Sequence, residues 1–187
     1  MPTRIAFSTV WPERMGDLAG KFTRFPEKLI TMIDPGGQNE EVNDLIFQLT
    51  KDGFYDFNFK VKYIPKTTTI RSNYEYWKSK EGQLLQPFFW AGKPYRSKQV
   101  VFCPEVRLKK VRFIRILYME GRNVYIGERE GDEMPFYIDD EITGGSYGDD
   151  DMERFAHDEG FNSVDDFFKW FNKDFDGALL EFKRVEG

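Results

Sequence analysis

The sequence has very little cysteine and very little histidine. Its 187 residues include one cysteine, Cys103, and one histidine, His157. A single cysteine excludes an internal disulfide framework and favours a reducing, cytoplasmic location. Because zinc sites need several Cys or His ligands, we expect no metal ion, and no other cofactor is indicated. With one histidine and no G-x-S-x-G motif, a conventional serine or cysteine triad is excluded as well.

Long apolar segments, repeats and linkers are also missing. No apolar run approaches the roughly 18 residues that cross a bilayer, and the N-terminus lacks a basic region followed by an apolar one. We therefore expect neither a membrane span nor a secretory signal. The hydrophobic fraction is 40% and the aromatic fraction 17%, enough to bury a sizeable core. With no repeat and no Pro/Ser-rich linker, the prediction is a single domain over residues 1–187.

Positive charge is concentrated in the middle of the chain, although the net charge is −5. Residues 60–115 contain 14 Lys and Arg against 3 Asp and Glu, whereas residues 127–187 contain 6 against 19. These segments could simply neutralise each other across the fold, because charge runs usually form solvated faces. Alternatively, the middle segment presents a cationic surface to a polyanion. Aromatic residues interleaved with its cations would then suit unpaired bases, although in a chain with 19 Phe we expect most of them in the core.

The spacing of apolar residues predicts an α+β fold. Pro26 suits the first turn of a helix, and Asn39 and Ser163 can each cap another. Helices are predicted after Pro26 and Asn39 and over 151–157 and 163–172. Strands are predicted over 5–10, 57–64, 84–90, 100–103, 111–118, 124–127, 136–138 and 178–184, with a turn over 121–123 and a mobile loop over 139–151. The last strand needs a partner, and we expect it to pair with the 57–64 region in one small barrel.

The stretch PKTTTIRSN, residues 65–73, places three threonines between two cations, Lys66 and Arg71. Threonine favours strands, so a plain strand with surface cations would explain it. However, the K-x-x-T-I-R pattern of residues 66–71 resembles the signature of ASCH domains, which belong to the PUA-like superfamily. Two later blocks are similar to that family in the same order, FAHDEGFNSVDDFFKWF over 155–171 and ALLEFKRV over 178–185.

The resemblance implies a small mixed β-barrel flanked by helices. Residues 1–56 would form an N-terminal helical extension, and residues 57–187 the barrel core, with an insertion near 124–150. The family relationship also implies a cleft that binds RNA or a modified nucleobase or nucleotide. The cleft residues would be Lys66, Thr68, Thr69 and Arg71, flanked by Trp77, Trp90, Lys93 and Arg96.

An alternative is suggested by a compact bacterial subgroup that removes the acetyl group from N(4)-acetylcytidine with a Lys, a Thr and a Glu. Carried over by motif, these residues are Lys66, Thr69 and Glu159. A threonine hydroxyl needs a neighbouring base such as a lysine, and a carboxylate can hold that lysine or pass a proton to the leaving amine. Arg71 could bind a phosphate or polarise the carbonyl under attack. A third alternative is an interaction protein with an inert cleft, in which Glu159 merely pairs with a cation.

Overall fold

The computed structural model describes residues 2–140 and 145–185, which form an α+β chain as predicted. The helices are α1 (Phe25–Ile33), α2 (Glu40–Lys51), α3 (Tyr74–Lys78), α4 (Asp149–Asp158) and α5 (Val164–Trp170). The strands are β1 (Thr3–Ala6), β2 (Thr68–Arg71), β3 (Leu84–Trp90), β4 (Gln99–Val101), β5 (Val106–Leu117), β6 (Gly121–Gly127), β7 (Met134–Asp140), β8 (Gly145–Tyr147) and β9 (Phe175–Lys183). Within these described residues, no helix is long and apolar enough to cross a membrane.

The described residues divide into two compact units. The first unit contains residues 2–67, 83–107 and 183–185, and the second contains residues 68–82, 108–140 and 145–182. Neither unit is continuous in sequence, because the chain leaves and re-enters each of them. The single-domain assignment over residues 1–187 is not tested by this division and stays a prediction.

The first unit contains a short sheet, two α-helices and a 3-10 helical segment over Glu13–Leu18. β1 runs parallel to β3, while β4 and the first residues of β5 run antiparallel to β3. Pro26 lies in the first turn of α1, as predicted, and α1 is buried along most of its length. Asn39 caps α2 by accepting a hydrogen bond from the Val42 backbone N–H at 3.2 Å. The core of this unit includes Ile5, Leu29, Leu85, Phe89 and Phe102.

The second unit is built on antiparallel strands. β9 pairs with β2 and also with β5, and the order then continues through β6 and β7 to β8. α4 and α5 add buried aromatic residues to this unit, including Phe155, Phe167 and Phe168. In residues 68–140 and 145–182 no pairing joins β8 back to β2. The sheet of this unit is therefore open, and closure into the predicted barrel is not observed.

Residues 57–64 form an irregular segment, so the predicted strand at this position is wrong. The alternation of apolar residues suggested a buried face, but Phe59, Val61 and Ile64 are exposed. The backbone here bonds to side chains instead of to a neighbouring strand. The Asn58 N–H donates to Glu27 Oε1 at 3.2 Å, and the Lys60 N–H donates to Asn58 Oδ1 at 3.1 Å. Because this segment is not a strand, the C-terminal strand does not pair with it, and that expectation is wrong too.

The structure also differs from the predicted turn over 121–123 and from the predicted loop over 139–151. Residues 121–123 belong to strand β6, and the turn lies just before them, where Glu120 has a left-handed φ of 56°. Much of the predicted loop 139–151 belongs to β7, β8 and α4, and residues 141–144 lie outside the described residues. Ser146 shows how this region is held, since its hydroxyl donates to Asp149 in the first turn of α4.

Candidate functional site

Strand β2 carries the threonines and the arginine of the K-x-x-T-I-R motif. It pairs antiparallel with β9, so that Thr69 lies opposite Leu180 and Arg71 opposite Ala178. Gly177 allows this pairing to be close, because a Cβ at that position would lie only 2.3 Å from the Arg71 carbonyl oxygen. β9 therefore fixes the backbone of the motif strand, and Thr69 is buried, with 2% of its surface exposed.

Glu159 is positioned by the way in which α4 ends. Gly160 adopts a left-handed φ of 90°, and its N–H donates to the His157 carbonyl at 2.8 Å. The Phe161 N–H donates to the Ala156 carbonyl at 2.9 Å. These two bonds form a Schellman motif, which glycine favours because it lacks a Cβ. The Glu-Gly pair of the sequence thus ends the helix at Glu159.

The Glu159 carboxylate reaches the motif strand across 89 residues of sequence. Its Oε2 accepts a hydrogen bond from the Ile70 N–H at 3.1 Å, and Glu159 is only 2% exposed. A backbone bond to an ionised acceptor is among the stronger hydrogen bonds in proteins. It therefore ties the end of α4 to the middle of β2.

The Arg71 side chain folds back along its own strand. Its Nη1 donates to Thr69 Oγ1 at 2.9 Å and to the Ile70 carbonyl at 2.8 Å. Burial lowers the pKa of Arg71, while the nearby Glu159 carboxylate acts in the opposite direction, and the resulting pKa is about 10. Arg71 is therefore still a cation at neutral pH. A hydroxyl, a cation and a carboxylate converge around Thr69 and Ile70, where burial strengthens electrostatic interactions.

Lys66, the first residue of the motif, belongs to the first unit. It is 2% exposed, so it is not the surface cation that one interpretation of the motif assumed. Its ammonium lies 4.9 Å from the centre of the Phe25 ring, and its backbone N–H donates to the Lys28 carbonyl at 3.0 Å. Lysine is rarely buried to this extent without a specific electrostatic environment. The aromatic face of Phe25 supplies part of that environment.

The remaining predicted ligand residues differ in exposure. Trp77 is buried in α3, and the Thr68 hydroxyl is a buried oxygen without a hydrogen-bond partner among residues 2–140 and 145–185. In the first unit, Trp90 is half-buried at the end of β3, whereas Lys93 and Arg96 are exposed in the connection from β3 to β4. The structure thus brings Thr69, Arg71 and Glu159 together in the second unit and displays an exposed cationic connection in the first.

Glu27 is a buried carboxylate that sequence analysis did not single out. It is fully buried in α1 and bonds to Arg24 Nη1 at 2.7 Å, to the Tyr55 hydroxyl at 3.0 Å and to the Asn58 N–H at 3.2 Å. Burial and the Glu27 charge raise the pKa of Tyr55 well above its usual value. The carboxylate therefore ties the chain after α2 to α1. A lone glutamate in an amphipathic helix carries no sequence signal for such a role.

The chain was compared with protein-family models, curated proteins and solved structures. No protein-family model, curated protein or solved structure matches the chain. Within residues 2–140 and 145–185, no group of three or more His, Cys, Asp or Glu side chains could hold a metal ion. The assignment of function depends on the residues of the two units themselves.

Proposed function

We propose that this chain is an ASCH-like module that binds RNA or a modified nucleobase or nucleotide, with Thr69 and Arg71 in contact with the ligand. The observation that carries the proposal is the hydrogen-bonded arrangement of β2, in which Arg71 donates to Thr69 and Glu159 accepts from Ile70. These bonds hold the motif strand in one geometry before a ligand arrives. A guanidinium held in this way suits the acceptor oxygens of phosphates and the acceptor edges of bases.

The relationship to ASCH and PUA-like domains is part of the proposal. It is supported by the mutual contacts of the three sequence blocks that resemble the family. The motif strand β2 pairs with β9, which contains most of the ALLEFKRV block. The FAHDEGF block ends α4 at Glu159, which bonds to Ile70 of the same motif. Distant blocks that meet at one strand are expected if they belong to one ancestral site.

Binding of defined ligands tests this function. The ligands are a single-stranded RNA of about 12 nucleotides, within the range of known single-strand sites, and the nucleosides cytidine and N(4)-acetylcytidine. Arg71→Ala should weaken binding by about 1.5–3 kcal/mol, the usual contribution of a hydrogen bond to a charged group, and Arg71→Lys should restore only part of it. Arg154→Ala is the matched control, because Arg154 is an exposed arginine of the same unit. Unchanged affinity in both Arg71 variants, with the fold intact by circular dichroism, would refute the proposed contact.

An amidohydrolase is the second candidate function, and a specific observation favours it. Lys66, Thr69 and Glu159, the residues of the suggested trio, are each only 2% exposed. Charged side chains are seldom buried so fully unless they are paired or functional. In this reaction Thr69 Oγ would bond to the acetyl carbon while the bond to the cytidine N4 breaks and that nitrogen takes a proton. Water would then release acetate and restore the hydroxyl.

Turnover of N(4)-acetylcytidine separates the two functions. If the trio is catalytic, Thr69→Ala should lower hydrolysis by orders of magnitude with little change in binding, because the lost interaction belongs to the transition state. Glu159→Gln keeps an oxygen that can accept from Ile70, so its loss of activity would report on charge. Thr67→Ala is the control for a neighbouring threonine. Equal turnover in wild type, Thr69→Ala and Glu159→Gln would remove the catalytic assignment and leave the binding module.

A further inference from the structure

The connection between β3 and β4 holds a tyrosine in a strained backbone conformation. We call residues 92–98, GKPYRSK, the cationic tip. The Arg96 N–H donates to the Lys93 carbonyl at 3.2 Å and closes a turn, with Pro94 and Tyr95 as its central residues. Tyr95 has a left-handed φ of 61°, which at the third position of a turn normally belongs to glycine or asparagine. A bulky side chain at this φ is a genuine outlier.

The conformation of the cationic tip is fixed by further hydrogen bonds. The Gly92 N–H donates to Ser97 Oγ at 3.0 Å, and the Ser97 hydroxyl donates to the Lys93 carbonyl at 2.9 Å. At the base, the Ala91 N–H donates to the Lys98 carbonyl at 2.9 Å. These hydrogen bonds therefore define the conformation of the turn and hold Tyr95 at its unfavourable φ.

The Tyr95 side chain gains no burial in return for this strain. It is 90% exposed, although its ring packs against Trp90 with a centroid distance of 5.4 Å. Trp90 in turn packs edge-on against Phe88, which is buried. The rings of Phe88, Trp90 and Tyr95 thus contact one another in sequence, from the core of the first unit to solvent, and Trp90 supports the exposed Tyr95 ring. A strained residue whose side chain stays almost fully exposed is the kind of outlier from which a function can be inferred.

The charged residues of the cationic tip are all positive. The tip carries Lys93, Arg96 and Lys98, and residues 83–104 contain no Asp or Glu. None of these three cations forms an ion pair within the part of the chain that the structure describes. Lys98 instead lies over the Phe54 ring, 4.8 Å from its centre. A rigid exposed ring amid uncompensated cations matches the chemistry of single-stranded nucleic acid, whose bases stack on aromatics and whose phosphates attract cations.

We infer that the cationic tip is a contact surface for single-stranded nucleic acid, with an unpaired base stacked on Tyr95 and flanking phosphates held by Lys93 and Arg96. The inference rests on the nucleic-acid ligand of the proposed function, but it does not depend on the Thr69 and Arg71 cluster. Trp90 supports Tyr95 from below, so the ring is ordered before binding and little side-chain entropy is lost when a base stacks on it.

Substitution of Tyr95 tests the inference by fluorescence anisotropy with labelled single-stranded RNA of about 12 nucleotides and with the matched duplex. Tyr95→Gly relieves the strained φ and removes the ring, so thermal stability should rise while affinity for the single strand falls roughly 5- to 150-fold, the range for one stacked base. Tyr95→Phe should keep most of the affinity, because the stacking face is retained. Tyr147→Ala removes an exposed tyrosine of the second unit and should leave affinity unchanged.

The outcomes separate this inference from the proposed function. If Tyr95→Gly binds the single strand as tightly as wild type, or if wild type prefers the duplex or binds neither, the cationic tip is not a stacking surface. If Tyr95→Gly loses affinity while Arg71→Ala does not, the tip is confirmed and the motif-strand contact is refuted. The reverse result, in which only Arg71→Ala loses affinity for RNA or nucleoside, refutes the tip and keeps the proposed function.

Discussion

The cations of strand β5 and those of the cationic tip come from one basic stretch of sequence, yet their surroundings differ. In the second unit, β5 cations pair with carboxylates: Lys109 with Glu181 at 3.4 Å, Lys110 with Glu128 at 2.6 Å, Arg112 with Glu181 at 2.7 Å and Arg115 with Asp176 at 2.9 Å. In the first unit, the three cations of the tip form no such pair within the described residues. A charge count along the sequence therefore overstates the cationic surface that a polyanion could meet.

The difference follows from strand pairing. β5 pairs with β6 and β9. β9 carries Asp176 and Glu181, and Glu128 directly follows β6, so acidic residues from the C-terminal third of the chain lie beside β5. The tip is a connection between strands, so it has no neighbouring strand that could supply an acid. Exposed ion pairs add little stability, but they cancel the field that would attract phosphates. We therefore expect substitutions around β5 to act on stability and substitutions in the tip to act on binding.

The largest expected effect comes from disturbing β9, which supplies the acidic partners of Lys109, Arg112 and Arg115. Gly177→Ala would place a Cβ 2.3 Å from the Arg71 carbonyl oxygen, so the backbone must move. We expect a loss of about 3 kcal/mol in the free energy of unfolding, measured by urea denaturation. Gly36→Ala is the control, because its Cβ would meet only the Gln38 side chain, at an ordinary 3.5 Å. Equal stability of Gly177→Ala and wild type would show that β9 does not require this close approach.

The first unit also contains a paired cation, in contrast to the cations of its tip, which have no ion pair among residues 2–140 and 145–185. Arg24 and Tyr55 both bond to the Glu27 carboxylate. Tyr55→Phe should cost about 2 kcal/mol at neutral pH, because a hydrogen bond to a buried charge is lost. The pKa of Tyr55 is raised in the folded state by burial and by Glu27. The stability from its protonated hydroxyl is thus present below about pH 10 and lost as the pH rises further.

Urea denaturation from about pH 8 to about pH 11 measures this effect. Wild type should lose stability above about pH 10 more steeply than Tyr55→Phe, which has no hydroxyl to ionise at this position. Parallel pH profiles of the two proteins would show that the Tyr55 hydroxyl does not contribute through its protonated form. Tyr125→Phe, at a half-exposed tyrosine of the second unit, controls for a general effect of tyrosine removal.

Removal of one acid should make the β5 region behave more like the tip. Glu181→Gln leaves Lys109 and Arg112 without their shared carboxylate, at a cost of about 1 kcal/mol because both cations are partly exposed. Non-specific binding to single-stranded RNA at low salt should increase at the same time, because two cations are no longer neutralised. Glu153→Gln is an exposed acidic control on α4. If RNA binding does not increase in Glu181→Gln, pairing is not what keeps β5 from attracting phosphates.

The smallest expected effect on stability belongs to the tip itself. Arg96→Ala should change the free energy of unfolding by less than about 0.5 kcal/mol, because Arg96 is exposed and forms no ion pair among the described residues. Its effect should appear in the salt dependence of RNA binding, where the slope of log K against log salt should decrease by about 0.7 for one lost phosphate contact. An unchanged slope would show that Arg96 does not contact a phosphate.

Local signals in the sequence predicted the elements well where nearby residues decide the structure. The strand over 84–90 has the predicted bounds, and Ser163 caps α5 by accepting from the Asp166 N–H at 3.2 Å. By contrast, β5 begins at Val106, five residues before the predicted start. Lys109 and Lys110 interrupt the apolar pattern there, so the local sequence does not predict a strand. In the fold these lysines pair with Glu181 and Glu128, which lie outside this stretch of sequence.

For the candidate site, the K-x-x-T-I-R motif identified the residues but not their geometry. The sequence predicts Thr69, Arg71 and Glu159 as site residues, whereas the bonds from Arg71 to Thr69 and from Ile70 to Glu159 depend on the fold. Nothing in the sequence distinguishes Tyr95 from the other aromatic residues that lie near cations in the middle of the chain. A Pro-Tyr pair signals a turn, but the backbone φ and the exposure of the ring depend on the hydrogen bonds of Ser97 and on Trp90.

The sequence by itself determined the α+β class and where the capped helices α2 and α5 begin, because each depends on residues within a few positions of one another. Only the tertiary structure decided that β2 pairs with β9, that residues 57–64 bond to side chains instead of to a strand, and which cations are neutralised. Every backbone N–H and carbonyl needs a partner, but any strand edge can satisfy them. The choice of partner therefore depends on the packing of whole elements, which no local pattern of side chains encodes.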